Sequence, residues 1–119
     1  MTNEKRLGNK GEQLARDYLI SNNYKVIESN YHCDHFEIDI ITRKDKNLIF
    51  FEVKTRLKND LSVDEIPLSS WQIKNLKKAI IHYCVENHYC LENTRLDLII
   101  IIVNPKDNLA TLKHYPDIF

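Results

Sequence analysis

Hydrophobic and polar positions follow two different periods along the chain, and each period predicts a type of secondary structure. Small or apolar residues at positions 7, 11, 14, 15, 18 and 19 have helical spacing, which predicts a first helix over about Thr2–Ser21. Asn23 lies just beyond its end and tolerates the left-handed conformation with which many helices terminate. Apolar residues at 73, 76, 80, 83 and 84 predict a second helix, capped by Ser69 or Ser70 and ending near Asn87.

Five apolar or alternating segments predict β-strands. They cover approximately Tyr24–Asn30, Phe36–Arg43, Leu48–Arg56, Arg95–Val103 and Leu109–Tyr115. The fourth is almost continuously apolar, as expected for a strand in the middle of a sheet covered on both faces. A polar loop, Leu57–Ser69, precedes the second helix. The order αβββαββ predicts an α/β fold with a central mixed sheet flanked by helices, in a single domain over residues 1–119.

The second predicted strand carries two acids beside apolar residues. Because side chains alternate across a strand, Glu37 and Asp39 share one face, whereas Ile38 and Ile40 point away from it. An acid on a strand that is otherwise apolar needs a partner for its charge. The neighbouring strand determines what that partner is.

The hairpin formed by the second and third strands predicts which charges meet. A turn centred between positions 45 and 46 opposes residues whose numbers sum to 91, so Asp39 faces Glu52. Glu37 then faces Lys54, which shares a strand face with Glu52. Opposed Cβ atoms are about 4.5–5.5 Å apart, and two carboxylates at that distance are destabilising. A shared proton or a divalent metal between them would remove the repulsion.

A divalent metal is one way to neutralise the facing acids. Mg²⁺ prefers carboxylate oxygens, usually one or two, and keeps several waters. The hairpin therefore predicts a metal site at Asp39 and Glu52, with Lys54 beside it. Helical spacing places a third acid, Glu12, at the edge of the buried stripe of the first helix. Gly11 just before it would let that helix approach another backbone closely.

A more ordinary interpretation of these charges stays open. A Glu-x-Lys pair on a strand is most often a solvated ion pair that contributes little to stability. The chain would then be a structural protein that needs no metal.

Composition narrows the function class. The 17 basic and 17 acidic residues cancel, which argues against a purely electrostatic nucleic-acid binder unless some acids hold cations. Apolar residues are 43% and charged residues 29%, which is typical of a globular protein. We expect a cytoplasmic protein with no membrane partner, because no run is apolar enough to cross a bilayer and the N-terminus lacks a secretory signal. Cys33, Cys84 and Cys90 have no disulfide-framework spacing and are expected to be reduced.

Several further residues have both a functional and a structural interpretation. Lys74, Lys77 and Lys78 lie at helical spacing and could hold phosphates, but a solvated helix face is at least as good an explanation. Trp71 and the tyrosines could stack on bases, although packing in the core or on a helix face is the more common use.

Two other groups of residues remain. Arg95 and Asp97 share a strand face and could support the site, and we favour an internal ion pair. The segments YHCDHF and HYCVENHYC hold several His and Cys residues, but their spacing matches no zinc site.

Motifs in order along nearly the whole chain resemble one known family. They are similar to motifs of the YraN-like family of small endonuclease-like bacterial proteins, and comprise LGNKGEQLARDYL, VIESNYH, EIDIIT, LIFFEVKTR, IKNLKKAIIHYC, RLDLIIIIV and LKHYPDIF. EID followed after twelve residues by EVK also resembles the PD-(D/E)XK nuclease superfamily, to which Holliday-junction resolvases belong.

The resemblance implies a restriction-endonuclease-like αβββαβ core and metal-dependent cleavage of nucleic acid. Asp39 and Glu52 would be metal ligands, helped by the backbone carbonyl of Val53. Lys54 would lie beside the attacking water, which it could orient or deprotonate, or it could stabilise the charge on the phosphate. Glu12 would be the outer acid and a further candidate ligand.

The chain departs from the family pattern at two positions. Phe36 stands where the family usually has glycine, and a bulky ring there is expected to restrict how closely a backbone or phosphate approaches the strand. Asn23 stands where the family often has glycine, which is a tolerable change because Asn also adopts left-handed conformations.

The residues and the resemblance together predict a nuclease that uses one or two Mg²⁺ or Mn²⁺ ions. Its substrate is expected to be nucleic acid, DNA in particular, branched or single-stranded. The alternative is a non-catalytic nucleic-acid-binding or interaction module that keeps the nuclease fold. A four-way junction would call for a symmetric homodimer.

Overall fold

The secondary structure follows the predicted order, with one short 3₁₀ turn added. The computed structural model describes residues 3–58 and 68–118. Its elements are α1 (Asn3–Ser21), β1 (Lys25–Cys33), β2 (Phe36–Lys44), β3 (Asn47–Leu57), α2 (Ser70–Asn87), the 3₁₀ turn Leu91–Asn93, β4 (Thr94–Val103) and β5 (Ala110–Tyr115). Thr2, the predicted start of the first helix, and residues 59–67 of the predicted polar loop lie outside the described residues.

The end of α1 and the start of α2 are each marked by a local signal in the sequence. Ser69 caps α2: its hydroxyl accepts from the Gln72 N–H, and the Gln72 side chain accepts from the Ser69 N–H. Asn23 has a φ of 68°, which confirms the left-handed end expected after α1. Neither helix, over its described residues, is long and apolar enough to cross a membrane.

Five strands form one mixed sheet in the order β1-β2-β3-β4-β5. β3 and β4 are parallel and are joined through α2, whereas the other neighbours are antiparallel. β4 lies inside the sheet, and its residues 96–101 are buried, as its apolar run predicts. The predicted α/β class is confirmed, and the arrangement is compatible with a restriction-endonuclease-like core.

Two hydrophobic clusters cover the two faces of the sheet. On one face α1 packs against β2, β3 and β4, through residues that include Ala15, Leu19, Ile40, Phe51 and Ile99. On the other face α2 packs against the same strands, through residues that include Ile38, Phe50, Leu76, Ile80 and Leu96. The alternation of neighbouring residues between the clusters fixes which face each β3 side chain occupies.

The β2–β3 hairpin has the predicted register. Lys44 pairs with Asn47 and Ile40 with Phe51, so opposed numbers sum to 91. The turn is centred between positions 45 and 46, and Asp45 has a φ of 56°.

The prediction that side chains alternate strictly between the two faces of β2 is wrong at Asp39. Ile38 packs on the α2 side and Ile40 on the α1 side, although they were expected to point the same way. Beside them on β1, Asn30 has a φ of 55°, which redirects the side chains that follow. Pairing resumes beyond it between Tyr31 and Ile38, so β1 continues to Cys33 rather than ending near Asn30.

A pair of buried carboxylates where two strands part

Asp39 and Glu52 meet where β2 and β3 stop pairing. The paired residues end at Ile40 and Phe51, and the two acids come next on each strand. Oδ2 of Asp39 accepts a 2.7 Å hydrogen bond from the Val53 N–H, so a side chain takes over where the backbone ladder ends. Asp39 is 8% exposed and the Glu52 side chain 14%. The pair is therefore held in place and largely shielded from solvent.

Burial and mutual repulsion prevent the pair from carrying two full charges. Burial first, and then repulsion from Glu52, raise the pKa of Asp39 to about 8, although the Val53 N–H favours the charged form. Burial also raises the pKa of Glu52, against the opposing effect of Lys54. At neutral pH the two carboxylates therefore share a proton unless a cation replaces it.

Lys54 supplies one positive charge beside the pair. Its Nζ lies 3.5 Å from Oε1 of Glu52, on the same face of β3. The sequence places Glu37 opposite Lys54, but the ion pair of Lys54 is with Glu52. Regular pairing between β2 and β3 ends at Ile40 and Phe51, so Glu37 is not held opposite Lys54. One ammonium cannot neutralise two carboxylates.

α1 brings a third acid toward the pair. A Cβ on Gly11 would overlap the side-chain oxygen of Thr55, so the predicted close approach is made against a β3 side chain. Glu12 follows at this crossing and is half-buried. Burial, and then repulsion from Asp39 and Glu37, raise its pKa. Glu12 is therefore electrostatically coupled to the pair.

Glu37 is a fourth acid near the pair. It is exposed, and its repulsion raises the pKa of Glu12, Asp39 and Glu52 alike. Four carboxylates would repel a phosphate ester, whose charge is also negative. Binding of a phosphate at this place therefore requires additional positive charge.

A groove of about 490 Å³ runs between the first half of α1 and the second half of β3. It is lined by residues of these two elements: Leu7, Gly8, Glu12, Val53, Lys54, Thr55, Arg56 and Leu57. Its charged residues are Glu12, Lys54 and Arg56. Alternation along β3 places the side chains of Lys54 and Arg56 on the same face as Glu52, so they bring positive charge to the sheet edge beside the carboxylates.

The donor set fits a hard divalent cation held by two carboxylates. No three Asp, Glu, His or Cys side chains within residues 3–58 and 68–118 converge closely enough to hold a metal by themselves. Asp39 and Glu52 are therefore the two candidate protein ligands, and Glu12 lies outside this pair. The N–H and C=O of one residue in a strand point to the same side, so the Val53 carbonyl faces the edge that β2 leaves open. Mg²⁺ commonly takes one or two carboxylates and completes its shell with water or substrate.

Comparison with known proteins identifies the family. Residues 11–101 match the uncharacterised protein family UPF0102. The chain belongs to UPF0102. The predicted YraN-like resemblance is thereby confirmed, since the match covers the second half of α1, all of α2, the carboxylate pair and most of β4.

Similar UPF0102 proteins include three that match nearly the whole chain. The one from Christiangramia forsetii is 36% identical over 119 residues, covering 100% of this chain and 98% of the relative. The one from Syntrophomonas wolfei is 34% identical over 113 residues, covering 95% and 96%. The one from Clostridium botulinum is 35% identical over 115 residues, covering 97% and 94%. These names state a family and no activity.

The α2 lysines of this UPF0102 chain lie apart from the carboxylate pair. Lys74, Lys77 and Lys78 are exposed and line neither the groove nor the neighbouring cavity described below. They stay candidates for phosphate contacts on the helix surface.

Arg95 and Asp97 form the favoured internal ion pair. The guanidinium contacts both oxygens of the fully buried Asp97, at 2.7 and 2.9 Å. His114 Nε2 lies 2.7 Å from the same carboxylate, and the Asp117 N–H donates to it at 2.9 Å. Burial opposes ionisation, but these partners together lower the pKa of Asp97. The described contacts of Asp97 are with β4, β5 and the C-terminal segment.

Glu52 also lines a second cavity, of about 170 Å³, on the α2 side of the sheet. Its walls come from the start of β2, from β3 and from the beginning of α2: His35, Phe36, Glu37, Glu52, Leu68, Trp71, Gln72, Asn75 and Leu76. Phe36 thus faces this cavity and is absent from the lining of the groove, so it leaves the α1 side open.

Sequence reasoning missed two residues beside the pair. Arg56 shares a strand face with Glu52 and Lys54, so strand alternation alone could have indicated it. Asn75 lies on the buried face of α2, where a polar residue is a signal in itself.

Trp71, a candidate for base stacking, lies on the surface of α2 rather than in the core. It is 69% exposed, and its ring contacts that of Phe36. Tyr24, Tyr31 and Tyr83 are core residues.

Proposed function

We propose that this UPF0102 protein is a nuclease that hydrolyses phosphodiester bonds in DNA with Mg²⁺ or Mn²⁺ as cofactor. One observation carries the proposal: two buried carboxylates, Asp39 and Glu52, face each other with a single lysine to offset them. A structural ion pair would have balanced its charges. An arrangement that lacks one positive charge, beside a groove whose lining includes Lys54 and Arg56, suits a cation and a phosphate.

Asp39 and Glu52 would hold the metal, with the Val53 carbonyl as a further oxygen ligand. When bound, the ion lowers the pKa of a coordinated water and offsets the negative charge that develops on the phosphate. The Val53 N–H fixes the orientation of the Asp39 carboxylate. Ligands that are locked by neighbouring backbone need no rearrangement when substrate binds.

Lys54 would act on the attacking water or on a phosphate oxygen. Glu52 holds its Nζ at 3.5 Å, and the side chain also lines the groove. An ammonium donates from three positions, so Lys54 can keep its contact with Glu52 while it donates to the substrate.

Glu12 would accept a proton at the outer side of the site. Burial and the neighbouring acids raise its pKa, which brings a carboxylate closer to the range in which general bases are effective. Arg56, further along the groove, would hold the phosphate that follows the scissile one.

The direct test is a cleavage assay on a panel of DNA and RNA substrates with Mg²⁺ and with Mn²⁺. The panel contains single strands, duplexes, flaps and four-way junctions. We expect cleavage of DNA by the wild-type protein and loss of cleavage in Glu52→Ala. Glu86→Ala is the matched control, because Glu86 is an exposed acid on α2 that contacts His82.

Two outcomes would contradict the proposal. Equal cleavage by wild type and Glu52→Ala would assign the activity to a contaminant. Binding of DNA without cleavage of any substrate would instead favour a non-catalytic module with a nuclease fold.

A further inference from the structure

The α2-side cavity contains a buried amide without a partner. Asn75 is 6% exposed, and its Nδ2 has no hydrogen-bond partner in the described part of the structure. Buried polar groups are almost always satisfied, and one that is not calls for an explanation, such as a bound water, ion or ligand. Asn75 is among the residues that line a cavity beside Glu52. A molecule with a hydrogen-bond acceptor on its edge would satisfy it.

Two aromatic rings stand at the same cavity. Trp71 is 69% exposed, and its ring meets that of Phe36 in an edge-to-face contact, with centroids 6.4 Å apart. An exposed tryptophan beside a cavity presents a large flat surface for stacking. The volume of about 170 Å³ is below the 300–1,000 Å³ of drug-sized pockets, and so suits one flat ring system.

The cavity and the groove are linked through one ion pair. Glu52 lines the cavity, and Lys54, which contacts it at 3.5 Å, lines the groove on the α1 side. A nucleotide whose phosphate lies at the carboxylate pair could therefore direct its base toward α2 and its backbone along β3.

We propose that this cavity binds one unpaired nucleobase of the strand being cut, stacked on Trp71 and hydrogen-bonded to the Asn75 amide. The inference rests on the proposed nuclease function and names its substrate class: DNA with an unpaired nucleotide at the scissile position. Every base has a flat face and an edge acceptor, so the site tolerates all four. Phe36 is then the wall of the base site.

Trp71 is the single tryptophan of the chain, so its fluorescence reports directly on the cavity. Wild-type protein in Ca²⁺, a hard cation that supplies positive charge at the carboxylate pair, is titrated with a single-stranded oligothymidylate about ten nucleotides long. We expect the fluorescence to be quenched by this strand, and little changed by an abasic strand of equal length or by a blunt duplex. Equal quenching by the abasic strand would overturn the proposal. Equally tight binding of thymidine 5′-monophosphate would do so as well, since it would make this a free-nucleotide site.

Two substitutions test the contacts, with binding measured by the anisotropy of a labelled strand. Trp71→Ala should weaken binding about 5- to 150-fold, the range for loss of one stacked base. Asn75→Leu should weaken it about 2- to 12-fold, yet leave thermal stability unchanged or higher, because it removes an unsatisfied buried group. Val85→Ala is the control, since Val85 is 70% exposed elsewhere on α2.

The base site and the nuclease activity can fail separately. Unchanged affinity in both variants, with cleavage intact in Mg²⁺, would refute the base site alone. Base-dependent quenching without cleavage would support the base site and refute the hydrolase.

Discussion

Two aspartates are buried in the same sheet and are neutralised in opposite ways. Asp97 on β4 is met by the Arg95 guanidinium, His114 and the Asp117 N–H, and its pKa is lowered. Asp39 on β2 is met by one backbone N–H and by a second carboxylate, and its pKa is raised to about 8. Burial opposes ionisation at both positions.

The difference separates a structural acid from a candidate functional one. At Asp97 the chain supplies every positive charge and donor that the carboxylate needs, so the group contributes to the fold. At Asp39 the chain supplies too few, and the deficit is stable only with a proton or a cation. A buried acid with a raised pKa beside a groove is a candidate for function, whereas a buried acid in a complete ion pair is not.

The rate of DNA cleavage should show the largest difference between substitutions at the two aspartates. Asp39→Asn should lower the rate of DNA cleavage about a thousandfold or more, because metal-assisted charge stabilisation is worth several kcal/mol and each 1.36 kcal/mol is tenfold. Asp97→Asn should retain activity within about tenfold at a temperature where it is folded. Single-turnover cleavage rates measure both. A larger loss in Asp97→Asn than in Asp39→Asn would reverse the comparison.

The pH dependence of stability should have opposite signs at the two positions. The pKa of Asp39 rises from an ordinary 3.8 to about 8 in the fold, so its contribution is complete below pH 4 and is lost as the pH rises toward 8. One proton corresponds to at most about 1.4 kcal/mol per pH unit. The lowered pKa of Asp97 gives a contribution that is present above pH 4 and lost in acid.

Urea denaturation in chelator at pH 5 and pH 8 measures this effect. Wild type should lose more stability between these values than Asp39→Asn does, and Asp97→Asn should parallel wild type. Parallel curves for wild type and Asp39→Asn would show that the carboxylate pair shares no proton.

At a single neutral pH the substitutions should also differ in stability. Asp97→Asn leaves the guanidinium and His114 without their carboxylate, and should destabilise by about 3 kcal/mol, the low end for a broken buried pair. Asp39→Asn keeps an oxygen for the Val53 N–H and removes a repulsion, so in chelator it should be neutral or stabilising. Thermal denaturation compares the three proteins. A destabilised Asp39→Asn would mean that the carboxylate is structural.

Divalent cations should stabilise one of the two sites. With Mn²⁺ at a hundred times its dissociation constant, wild type and Asp97→Asn should each gain about 2.7 kcal/mol, while Asp39→Asn gains less. Isothermal calorimetry gives the dissociation constant, and thermal denaturation at pH 8 gives the gain. Equal stabilisation of all three proteins would place the cation elsewhere.

The sequence by itself determined the elements, their order and the pairing of the central hairpin. These features depend on local signals: the helical and strand periods, the Ser69 cap and the turn at Asp45. Local signals can be recognised in the sequence without knowledge of the tertiary structure. The turn sets the β2–β3 register, and that register alone places Asp39 against Glu52. The family motifs led to the same residues.

Only the tertiary structure decided how these charges are balanced. Beside the positive φ of Asn30 on β1, Ile38 and Ile40 lie on opposite faces of β2. Lys54 pairs with Glu52 rather than Glu37. His114 reaches Asp97 from β5, the neighbouring strand of the sheet. The burial of a charged group, and the charges that lie near it, depend on how separate segments of the chain pack together. The periodicity of one segment does not contain that information.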